Sequence, residues 1–140
     1  MLQVKDFMTS LVITTEIDTP VVEAAKLMAI DDVGSLIVTK SDVLAGMVTR
    51  REIVGARLFS EESYKSLLVG DIMNSPVVTI GPDAELGQAI GLMNQTGKHR
   101  IPVIEGNDII GMISATDIIR VLATMKLIAD GTTEEEVEED

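Results

Sequence analysis

Apolar residues at Val21, Ala24, Ala25 and Met28 follow the spacing i, i+3, i+4, i+7, and Leu86, Ala89, Ile90 and Met93 repeat it further along. That period predicts an amphipathic helix at each place. Helix-start signals, Asp18-Thr19-Pro20 and Pro82-Asp83, stand just before both. Ahead of those lie short β-branched runs, Leu11 to Thr14 and Val77 to Ile80, which predict strands. Two more β runs follow each helix, Ser35 to Thr39 with Ala45 to Thr49, and Arg100 to Ile104 with Ile109 to Ser114. Lys40-Ser41-Asp42 and Glu105-Gly106-Asn107-Asp108 supply the turns between them. A second helix closes each half: a short one from about Arg51, and a longer one in which Ile118, Val121, Leu122 and Met125 keep helical spacing. Each half therefore reads β-α-β-β-α.

The halves are copies. Laying residues 4–54 on 69–119 without a gap gives 14 identities, including Gly46-Met47 on Gly111-Met112. The predicted fold is α/β of the α+β kind, two tandem repeats at 1–60 and 61–130. Each copy's apolar face is completed by the other, so the two pack together. Residues 55–68 read as a partly helical linker, and 131–140 as an acidic, disordered tail.

Composition narrows the chemistry. A chain of 140 residues bounds one cooperative core. Hydrophobic residues make up 46% and aromatics 2%, so aliphatic side chains fill the interior and base-stacking platforms are disfavoured. The net charge is −12, to which Glu134, Glu135, Glu136, Glu138, Glu139 and Asp140 contribute half. A basic nucleic-acid footprint is absent. There is no cysteine and one histidine, His99, which removes thiolate chemistry and any zinc site of Cys/His spacing. No stretch approaches the ~18 uninterrupted apolar residues of a membrane span, and the expectation is a soluble, cytoplasmic protein without a metal. Gly91 to Lys98 misses the phosphate loop, with five residues between its glycines and no hydroxyl after the lysine. Gly87-x-x-x-Gly91 is expected to mark close helix packing.

Candidate chemistry lies where strand meets helix. Ser114-x-x-Asp117 and Thr49-x-x-Glu52 fit a helix-start pattern in which hydroxyl and acid satisfy exposed amides. The same parts suit a nucleotide, since a hydroxyl beside a helix start faces phosphate and a carboxylate accepts both ribose hydroxyls. Gly97-Lys98-His99-Arg100-Ile101-Pro102-Val103 adds an imidazole and a guanidinium at the mouth of an apolar strand, where both could donate to phosphate.

Two β-α-β-β-α units carrying M-T-x-x-V, P-V-x-E-A, H-R-I-P-V and G-x-x-S-x-x-D resemble a pair of cystathionine-β-synthase (CBS) domains, the Bateman module. The resemblance covers residue 1 to about 128. It implies a pseudo-two-fold pair with two clefts for adenosine-type ligands such as AMP, ADP, ATP or S-adenosylmethionine, and a regulatory role without catalysis or an obligatory cofactor. Carried over, one cleft takes ribose at Asp117, phosphate at His99, Arg100, Ser114 and Thr116, and the base at Thr9, Val12, Ile13, Val33, Gly34 and Ser35, with Met112 beside them. The mirror cleft takes the base at Asn74, Val77, Val78, Lys98 and His99, and ribose and phosphate at Thr49, Arg51 and Glu52. There Glu stands for the usual Asp, and Gly34-Ser35 stand where the second copy has His99-Arg100, so this cleft is expected to be the weaker. The resemblance further implies a homodimer and a regulated protein reached in trans. An interaction scaffold with vestigial clefts is the alternative, and an enzyme ranks behind both.

Overall fold

The computed structural model describes residues 1–139, with side chains placed through residue 131. A 3-10 turn at Val4–Asp6 opens the chain, followed by β1 (Thr14–Glu16), α1 (Val21–Ile30), β2 (Ser35–Lys40), β3 (Val43–Thr49) and α2 (Arg50–Ala56). Two short helices, α3 (Glu61–Ser66) and α4 (Val69–Ile72), lead into α5 (Leu86–Thr96), β4 (Arg100–Glu105), β5 (Asp108–Ser114) and α6 (Ala115–Glu139). This is the mixed α/β architecture that the periodicity predicts. The connection at 55–68 contains α3, whose cap Ser60 accepts a hydrogen bond from the Ser63 amide at 3.2 Å. The acidic run 132–140, expected to be disordered, lies outside the residues described in full.

In the first copy β1 runs parallel to β2, and β2 antiparallel to β3. In the second, β4 and β5 form an antiparallel pair. The copies share an irregularity: the register shifts at Val38/Thr39 in one hairpin and at Val103/Ile104 in the other, the same position after the offset. The strand expected at Val77 to Ile80 is reduced to a single bridge, Ile80 with Val103. Prolines explain the loss. In the first copy the Ile37 amide donates to the Ile13 carbonyl at 3.0 Å, and the Ile17 amide to Thr39 at 2.9 Å. Pro102 and Pro82 occupy the corresponding positions and carry no N–H.

The opening segments are exchanged. Val4 and Phe7, from the start of the chain, are buried in the core of the second copy with Leu86, Ala89, Met93, Ile101 and Ile113. Val69 of α4 is buried in the first copy's core with Ala24, Met28, Leu36 and Val48. The chain beyond each segment then crosses the other copy's hairpin. Thr9 pairs with Met112 through bonds of 2.8 and 2.9 Å, and Asn74 with Met47 through bonds of 2.8 and 3.0 Å. The repeats read along the sequence as 1–60 and 61–130 thus trade their first residues in space, giving the pseudo-two-fold arrangement. Ile37, Met47 and Met112 are buried together where the hairpins meet, with Val12 and Val77 packed against them.

Gly87 and Gly91 do not mark close helix packing. A Cβ at either would meet nothing within 4 Å. Helix α6 buries Ile118, but Leu122 and Met125 of its predicted stripe are 39% and 42% exposed, and Ile119 and Leu127 more so. Among the described residues no helix is long and apolar enough to cross a membrane.

Candidate functional site

Two clefts lie between the copies, each made where the helix start of one meets the strand entry of the other. The first has a volume of about 360 Å³ and is walled by Thr9, Val12, Ile13, Val33, Gly34 and Ser35 from the first copy and Met112, Ser114, Thr116 and Asp117 from the second, with Arg100. Leu11, Asp32 and Arg120 complete it. The second has a volume of about 500 Å³ and brings together Thr49, Arg51, Glu52, Asn74, Val77, Val78, Lys98 and His99. Met47, Pro76, Gly97 and Arg100 also line it.

Local geometry separates the two helix starts. At α2 the Thr49 amide and hydroxyl both donate to Glu52 Oε1 at 2.8 Å, so the acid reaches back and closes the turn. At α6 the Asp117 amide donates to Ser114 Oγ at 3.0 Å, which caps the helix through the serine. The Asp117 carboxylate is used differently, pairing with the Arg120 guanidinium at 3.2 Å one turn on while facing the cleft. Glu52 is therefore engaged by the helix start itself, and Asp117 is turned toward the cavity.

His99 does not join Ser114 and Asp117. Its backbone carbonyl accepts from the Ala115 amide at 2.9 Å at the start of α6, but it is the Glu52 cleft that the residue lines. The mirror contact, Arg50 amide to Gly34 carbonyl at 3.2 Å, shows the same rule: a strand entry touches its own copy's helix start through backbone and lines the opposite cleft. By that rule Lys98, His99 and Arg100 are the counterparts of Val33, Gly34 and Ser35. Of the donor pair, His99 is missing from the Asp117 cleft, and the Glu52 cleft retains both, the reverse of the assignment expected from the sequence. Arg100 serves both, because its guanidinium extends over Gly34, with Nη2 2.9 Å from where a Cβ would stand. Glycine at 34 leaves room for it.

Asp32 and Arg120 escaped sequence reasoning. The spacing of Arg120 from Asp117, one helical turn, was a usable signal. Asp32 had none, since its ion pair with Arg50 at 3.6 Å forms only after folding.

With this geometry in view, comparison with known proteins identifies the class. The CBS domain family matches twice, at residues 4–58 and 69–124, and the chain belongs to that family. It is 32% identical over 118 residues to the CBS domain-containing protein YhcV of Bacillus subtilis, covering 84% of each chain. It is 35% identical over 108 residues to the mitochondrial CBS domain-containing protein CBSX3 of Arabidopsis thaliana, covering 74% of this chain but 52% of CBSX3, so it spans about half of that relative's length. The crystal structure of CBSX2 in complex with AMP superposes with a TM-score of 0.77 at 23% identity, covering 90% of this chain and 99% of that one.

Proposed function

We propose that the protein is a regulatory module that senses adenine nucleotides in the clefts between its copies and carries out no chemistry of its own. One observation carries this reading: each cleft sets a hydroxyl and a carboxylate from one copy's helix start against an apolar wall, strand entry and backbone from the other. An adenosine ligand needs those parts in that order. Its base lies on the apolar wall, its ribose hydroxyls donate to the carboxylate, and its phosphate accepts from hydroxyls and cations. AMP, bound by CBSX2, is the first ligand to try; ADP, ATP and S-adenosylmethionine offer the same nucleoside.

A ligand in either cleft touches both copies at once. It therefore favours whichever arrangement of the copies fits it best, and a regulated partner that reads that arrangement responds to nucleotide level. Asp117 is the ribose acceptor of its cleft. Calorimetric titration with AMP is expected to give saturable binding to the parent, and Asp117→Ala to weaken the binding event in its own cleft about tenfold or more while the Glu52 cleft is unaffected, as the loss of a charge-assisted contact requires. Parent protein that binds none of the four ligands, and whose melting temperature none of them raises, would favour a scaffold with vestigial clefts instead.

A further inference from the structure

We infer that the two clefts divide adenine ligands by charge: the Glu52 cleft takes the polyphosphate-bearing nucleotide, and the Asp117 cleft a ligand with little phosphate charge. The inference rests on the adenine-nucleotide reading and assigns a ligand class to each of its sites.

The Glu52 cleft is lined by three fixed cations, Arg51, Lys98 and Arg100, and by the His99 imidazole, against one carboxylate. Among the described residues none of those three cations is in an ion pair. The one carboxylate, Glu52, already accepts both donors of Thr49. An incoming phosphate chain therefore meets cations with no competing partner. The Asp117 cleft sets Arg100 and Arg120 against Asp32 and Asp117. Its charges balance, and all but Arg100 are committed: Arg120 to Asp117 at 3.2 Å, Asp32 to Arg50 at 3.6 Å. A polyphosphate there would face two carboxylates, and among the described residues Arg100, shared with the Glu52 cleft, is the one lining cation it could reach without breaking an ion pair. The volumes run the same way, about 500 Å³ against about 360 Å³. Lys98, Arg51 and Arg100 are exposed, so their attraction for phosphate is screened by salt.

The test is calorimetry with adenosine, AMP, ADP, ATP and inorganic tripolyphosphate in magnesium-free buffer at low and high salt. The proteins are the parent, the double variant Arg51→Gln/Lys98→Gln, and Asp117→Ala. Both side chains of the double variant are exposed, and an unchanged urea transition verifies its fold. One site of the parent is expected to bind ATP about tenfold or more tightly than adenosine, with the advantage shrinking as salt rises. The double variant loses that advantage and keeps adenosine binding; Asp117→Ala keeps the ATP preference and loses the adenosine-favouring site. Equal affinity for all four adenine ligands would overturn the division by charge and leave the adenine reading standing. Tripolyphosphate bound by the parent but not by the double variant, with no adenine ligand bound, would overturn the adenine reading and leave the charge assignment standing. An ATP preference that survives in the double variant and vanishes in Asp117→Ala would reverse the assignment.

Discussion

Gly46 and Gly111 are where the exchanged segments press closest on the hairpins. A Cβ at Gly111 would stand 2.7 Å from the Thr9 carbonyl oxygen and 2.8 Å from Met8 Sδ; at Gly46 it would stand 2.8 Å from the Asn74 carbonyl oxygen and 2.6 Å from Met73 Sδ. The sulfurs can move, but the carbonyls belong to the bridges that hold the segments. Gly111→Ala is expected to destabilise by about 1–3 kcal/mol, the usual cost of overpacking. Gly91→Ala, in the middle of α5 with open space around it, is expected to stabilise by about 0.5–1 kcal/mol through helix propensity. Urea denaturation of the two variants gives both values, and equal effects would refute the packing argument. The repeated Gly-Met pair was legible in the sequence, and so were most cleft residues. That His99, expected in both clefts, lines the Glu52 cleft and not the other was not legible, because its neighbour along the fold, the Ala115 amide, is not its neighbour across the cleft.

At the scale of elements, the period-3.6 and β-branched patterns located α1, α5, both hairpins and the helix starts, since each pattern is set by one buried face. What they could not show is which copy an opening segment joins. Val4 and Phe7 look alike as core residues whether they pack on their own repeat or on the other. The missing strand at 77–80 was legible in principle, given that Pro82 and Pro102 stand in the sequence; it needed the pairing partners, which only the fold supplies. Phe7, at 3% exposure in the second copy's core, makes the exchange testable. Phe7→Ala is expected to cost about 3–5 kcal/mol, as for a large aromatic truncated in a core, although it lies among the first ten residues of the chain. A loss below about 1 kcal/mol, the scale of surface substitutions and frayed ends, would show that the opening segment is not part of the second copy's core.

On the molecule as a whole, α6 is rich in exposed large apolar side chains. Ile119, Leu127 and Ile128 are 68%, 71% and 70% exposed, and on the first copy Val54, Leu58 and Phe59 are 62%, 86% and 61% exposed. In the second copy these side chains lie on α6, and in the first on α2 and the residues just after it; exposed apolar side chains concentrated in this way mark a contact surface. The core does not need them: Ile118 and Val121 already face it. A two-fold pairing of identical chains covers the same patch on both partners with one interface. Light scattering at micromolar concentration is expected to give about twice the chain mass of 15.0 kDa. Ile119→Lys would place a charge in that interface at a desolvation cost, and is expected to return the mass to that of one chain while AMP binding persists, because Ile119 lines neither cleft. A parent mass of one chain would refute the pairing. A variant that stayed dimeric would move the interface off α6 and onto another face.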